Sequence, residues 1–150
     1  MGRPTRRVRL RAAGTLAAAA LLTATVAGCD EATDAAGDIV ASATSAVASA
    51  AQEKMNEVKD GVNATGDVEA GATDTDGDRT VSEITATNST DKEADYTILV
   101  DFRDDEGNLL DAVVLNIDGV QPGASKTGTA RSNRTLSGST KAEIGQALRH

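Results

Sequence analysis

The sequence predicts a mainly β protein: a small antiparallel sandwich preceded by an Ala-rich α-helix. Three observations carry that prediction. Apolar residues recur every three or four positions up to about residue 62 and every second position after about residue 80. Clusters of Gly, Pro, Asn and Asp divide residues 80–148 into short segments, at the roughly 8–12-residue spacing of sandwich strands. Tyr96, Ile98, Val100 and Phe102 alternate with Thr97, Leu99, Asp101 and Arg103, the period of a strand with one buried face.

Taken in order, the chain opens on a leader. Arg3, Arg6, Arg7, Arg9 and Arg11 crowd the first eleven residues, which contain no acid. Residues 12–28 are mostly Ala and Leu and end in small residues. A basic segment, a short apolar segment and small residues together predict a secretory signal peptide over 1–28. The apolar run is interrupted by Thr and Gly and is shorter than the roughly 20 residues a spanning helix requires. Val26-Ala27-Gly28-Cys29 then resembles the lipobox of bacterial lipoproteins, in which a Cys after a small residue is lipidated and becomes the new N-terminus. That resemblance implies a lipid-anchored protein on the extracytoplasmic face of the cell membrane, with Cys29 as the lipidation site. Cleavage after Thr25-Val26-Ala27, as in an ordinary signal peptide, fits less well. Two acyl chains, at about 0.8 kcal/mol per buried methylene, hold a protein on a bilayer where one does not. Cys29 is the single cysteine, so it has no disulfide partner within the chain. Thr5-Arg6-Arg7-Val8-Arg9-Leu10 partly resembles a twin-arginine export signal, with Arg9 where that pattern prefers an apolar residue.

Without residues 1–28 the chain keeps all 23 acids and 10 bases, a net −13. That acidity opposes nucleic-acid binding, which rests on Lys and Arg neutralising phosphates, and opposes lying flat on anionic lipid. High Ala, Gly, Asp and Thr with few Lys suggests an actinobacterial, high-GC coding bias.

Residues 29–37 are small and polar and read as a tether. Residues 38–62 read as helix, since Val40, Ala43, Val47, Ala51, Met55, Val58 and Val62 form one narrow stripe. The stripe is mostly Ala and Val, which favours a stalk or loosely docked helix over a coiled coil. Residues 63–79 are rich in Gly and Asp and read as a flexible linker. A strand comes next, with Ser82, Ile84 and Ala86 on one face, and Asn88–Lys92 turns it. The strand of Tyr96 and Phe102 ends in a turn at Asp104–Asn108. Leu109–Ile117 is the next strand, with Val113, Leu115 and Ile117 facing one way, and Val120–Gly123 is a turn. Ser125–Ala130 reads as a polar strand. Thr140–Leu148 reads as the last, with Ala142, Ile144 and Leu148 on one face.

Residues 80–148 resemble the FxLYD domain, an immunoglobulin-like module of bacterial secreted proteins and lipoproteins. Val100-Asp101-Phe102-Arg103-Asp104-Asp105-Glu106-Gly107 stands at the family's named motif, and Val120-Gln121-Pro122-Gly123 at its later turn. Arg103 replaces the Tyr. The resemblance implies an immunoglobulin-like sandwich and carries over no catalytic residue.

Candidate chemistry is thin. Asp74, Asp76 and Asp78 have the spacing of the first ligands of an EF-hand loop, but Arg79 holds the sixth position and Thr85 the twelfth, where Gly and Glu are needed. They are weak metal candidates, and an acidic turn accounts for them. His150, the single histidine, stands at the C-terminal end, where chains are usually poorly ordered, and the anchor consumes Cys29, so neither a Ser/His/Asp nor a Cys/His nucleophile is expected, nor a zinc set. Carboxylates abound, yet a sugar-cleaving site would want aromatic platforms, and Tyr96 and Phe102 are expected in the core. The expectation is a non-enzymatic binding or interaction module needing no cofactor, anchored to the membrane through Cys29, with a protein or cell-wall partner and no nucleic acid. The alternative is a structural spacer of the envelope that self-associates through its helix.

Overall fold

The computed structural model describes residues 31–150, with side chains described from Ala43 onward. Cys29 and the leader lie outside the described residues. Helix α1 spans Glu31–Asn56. Seven strands come after it: β1 (Val62–Asn63), β2 (Val68–Asp76), β3 (Arg79–Thr87), β4 (Ala94–Arg103), β5 (Leu109–Val120), β6 (Ser125–Arg131) and β7 (Lys141–Arg149). They form two antiparallel sheets, β1-β7-β4-β5 (sheet A) and β2-β3-β6 (sheet B). The mainly β sandwich with one helix is the fold the patterning predicts.

The core between the sheets stems from alternation. Tyr96, Ile98, Val100 and Phe102 of β4 are fully buried and meet Ile84 and Ala86 of β3 and Ala130 of β6. The Tyr96 hydroxyl donates to the Thr87 carbonyl at 3.3 Å, so the ring is buried without stranding its polar end. Gly128 sits opposite Leu115 and Ile117, where a Cβ would come within 3.2 Å of both side chains.

The second face of β4 is not solvated. Helix α1 lies across it, packing Ala51, Met55 and Val47 on Leu99, Ala112, Val114 and Leu148. The stripe thus belongs to a docked helix. It stops before Val58 and Val62, because the helix ends at Asn56 and the chain turns through Asp60 at φ 58°; Val62 is exposed. Asp is among the few side chains that enter the left-handed region readily.

Four further expectations differ from the structure. Residues 31–37 of the expected tether are helical. The expected linker 63–79 holds a 3-10 turn at Thr65–Asp67 and strand β2. Gly71 lets β2 lie close on β3, since a Cβ there would meet the Glu83 carbonyl at 3.1 Å, and the ladder is irregular between Ala70 and Thr73. Leu148 does not share a face with Ala142 and Ile144. Leu99 pairs with Gln146 but Val100 with Ile144, so Gly145 is an extra residue that reverses the facing of the residues after it. Thr97, expected on an open face, is buried, and its hydroxyl lies 3.1 Å from the His150 ring Nε2.

Candidate functional site

Among the described residues, a concave surface lies where α1 meets the outer edge of sheet A. β5 is that edge, pairing with β4 alone. A groove of about 510 Å³ runs beside it, walled by Val47, Ala50, Ala51 and Lys54 of α1, by Ala112–Leu115 of β5 and by Thr129–Arg131 of β6. A second hollow, of about 500 Å³, lies over the helix-facing side of sheet A at the end of α1, lined by Glu57, Val58, Lys59, Thr97, Asn116 and His150. Lys54 and Val114 line both hollows, and of the two only the first is a channel flanking the β5 edge.

Antiparallel pairing makes this edge legible atom by atom. The Ala112 N–H donates to its neighbour Asp111 Oδ1 at 2.9 Å, and the Ala112 carbonyl accepts from Asn133 Nδ2 at 3.1 Å. Both groups therefore point away from β4. Nearby, the Leu110 carbonyl accepts from Arg134, whose Nη2 also donates to Thr44 Oγ1 at 2.7 Å. At the other end the Asp118 carbonyl accepts from Lys126 Nζ at 2.6 Å. Side chains from β6 and the loop after it thus cover β5 at both ends. In an antiparallel ladder the outward groups recur at every second residue. Val114 and Asn116 accordingly turn their N–H and C=O outward, with no partner among the described residues.

Asp111 is fully buried. Its carboxylate accepts from the Asn133 N–H at 2.6 Å as well as from Ala112, which pins the loop after β6 to the start of β5. Its role is therefore structural. Asn88 does the same at the opposite pole, donating to Val120 O at 2.8 Å and Lys92 O at 2.7 Å while accepting from the Thr90 N–H and hydroxyl.

The weak metal candidates are spread over a hairpin. Asp74 accepts from the Thr75 N–H at 2.7 Å, Asp76 pairs with Arg131, and Asp78 pairs with Arg79 at 3.4 Å. Asp74 and Asp76 lie in β2, opposite Val81 and Arg79, rather than in a ligand loop. No group of three or more His, Cys, Asp or Glu side chains converges among the described residues.

The turn after β4 is organised by Asp104, whose carboxylate accepts from the N–H groups of Glu106 at 3.0 Å and Asn108 at 2.8 Å. The Asn108 side chain, donating to the other oxygen, is the main reason its pKa lies below the ordinary 3.8. Gly107 takes φ 86° there. Arg103 reaches Asp101 at 2.6 Å, Glu143 at 3.3 Å and the Gly107 carbonyl at 3.1 Å. The segment shapes a hairpin and aligns no reactive group.

No family model, curated protein or solved structure matches the chain. The β5 channel was not visible in the sequence. Its walls come from segments dozens of residues apart.

Proposed function

We propose that this is an exported lipoprotein, acylated on Cys29, whose β-sandwich is a non-enzymatic binding module on the extracytoplasmic face of the membrane. Val26-Ala27-Gly28-Cys29 behind a basic, apolar leader is the observation that carries the anchor. The resemblance of 80–148 to the FxLYD domain supports an immunoglobulin-like interaction module. No helix among the described residues is long and apolar enough to cross a membrane. The side chains Val47, Ala51 and Met55 are committed to sheet A, which favours the binding module over a spacer that pairs through this stripe.

Mass spectrometry of the N-terminal peptide tests the anchor. An acylated Cys29, lost together with membrane retention in Cys29→Ala, is the expected result. An unmodified mature terminus elsewhere overturns it. Crosslinking in intact cells tests the module, and a chain that captures neither a protein nor cell-wall material overturns that part.

A further inference from the structure

We propose that the β5 edge beneath α1 receives an extended, acidic–apolar peptide segment as an added strand. This deepens the binding-module reading and rests on it. Main-chain pairing at an exposed sheet edge is a general mode of peptide capture, and the edge here is prepared for it in three ways.

Backbone valence is the first. Val114 and Asn116 offer N–H and C=O groups outward, enough for a run of ladder hydrogen bonds. The neighbouring outward groups are already capped, at Ala112 by Asp111 and Asn133 and at Asp118 by Lys126. Caps at both ends confine the open stretch to the residues between, which limits the length over which an added strand can pair.

Shape is the second. An exposed edge normally invites indiscriminate pairing and is blunted by charge, Pro or bulges. The other sheet A edge fits that rule. β7 is covered at its end by β1, carries the extra residue Gly145 and presents exposed Lys141 and Glu143. The β5 edge instead lies in a channel whose helical wall is small and apolar at Ala50 and Ala51. Small residues there leave room for the side chains of an incoming strand.

Charge is the third, and it selects the occupant. In a chain of net charge −8, the charged residues lining the larger groove are Lys54 and Arg131. Arg131 is already paired with Asp76, whereas Lys54 has no ion pair among the described residues. An acidic side chain on the incoming strand would supply its partner. The same feature disfavours a second copy. Two-fold pairing of β5 with β5 would place two α1 helices side by side on one face and bring Lys54 toward Lys54.

The test uses the chain carrying Cys29→Ser, which lacks the acylation point, and a short fluorescein-labelled peptide of alternating valine and glutamate. Saturating binding with slowed amide exchange at Val114 and Asn116 is expected. Lys54→Glu, an exposed change, should weaken binding about tenfold without altering the fold. A peptide with proline at alternate positions, which cannot pair, should not bind. Absence of binding, equal binding of the proline peptide, or protection at Lys141–Gly145 instead of β5 overturns the proposal. Crosslinking in cells separates this from the broader reading. A Lys54→Glu chain that captures its partner as the wild type does removes the β5 site and leaves the module. Capture of nothing by either chain removes the module too.

Discussion

The two sheets use the same alternation toward different ends. In sheet B, β3 buries Thr80, Ser82, Ile84 and Ala86 and leaves Glu83 and Thr87 exposed and Thr85 half-exposed, a strand with one wet face. In sheet A, β4 buries both sets, with Tyr96, Ile98, Val100 and Phe102 against sheet B and Thr97 and Leu99 on the side facing α1. The two faces of β4 differ in bulk. The inner face carries both aromatic residues of the chain, and the outer face meets a helix offering mainly Ala, Val and Met. The inner face therefore supplies most of the cohesion, while the outer face fixes where the helix lies and so forms the channel beside β5.

Phe102→Ala is the sharpest blow to that contrast. It opens a cavity in the inner core and should cost about 3–5 kcal/mol, a large share of a small domain's stability. Thermal and denaturant melts measure it, and a loss below about 1 kcal/mol would mean that the inner face is not the main core. Met55→Ala, beneath the helix, should cost about 2 kcal/mol, the low end for a buried Met, because the helix contact is thin. Its signature should be local: amides of α1 exchange faster while those of β3 hardly change. Thr129→Ala, on the solvated face of sheet B, should stay within about 0.5 kcal/mol and gives the baseline.

The smallest effect concerns the hairpin at the end of sheet A. The Asn108 side chain holds the Asp104 pKa below its ordinary value, and hydrogen bonds to Lys141 and Ser139 with the Lys141 charge do the same for Asp105. A carboxylate with a lowered folded-state pKa stabilises above its unfolded pKa and loses that contribution as the pH falls through the lowered value. Asp104→Asn should therefore be less stable than wild type by a small, constant margin between about pH 5 and 7, and the margin should close below about pH 4. A margin that widens on acidification would reverse the sign and discard this account.

β3 to β6 were legible because their patterns are local. Ile84, Phe102, Val113 and Ile117 fall where a period of two puts them, and Gly107 and Gly123 take positive φ in the turns the sequence marks. β2 was hidden because an edge strand with one partner needs little apolar patterning. Its Gly71 and three acids read as linker, whereas Gly71 serves a close approach to β3. The buried state of Thr97 was hidden because the residue its hydroxyl meets, His150, lies 53 residues away in the chain, beyond any local period. The displacement of Leu148 turns on Gly145, where a Cβ would come within 3.3 Å of the Asp101 carboxylate. Nothing in the order of residues marks that contact.

The direction of α1 gives the sandwich a near pole and a far pole. Thr44 is tied through Arg134 to the start of β5, and Lys141 to Asp105 and Asp78 to Thr135 place the adjoining loops at that same end. The opposite end holds the Asn88–Gly123 bond and the His150–Asp95 pair. The helix continues past Thr44 to Glu31, a reach of about 20 Å at 1.5 Å per residue. Glu31 therefore lies beyond the pole that carries the hairpin of Gly107 and the loop of Gly138. The turn of Pro122 and His150 lie at the far pole, so a chain drawn by its helix presents these two ends of the sandwich unequally.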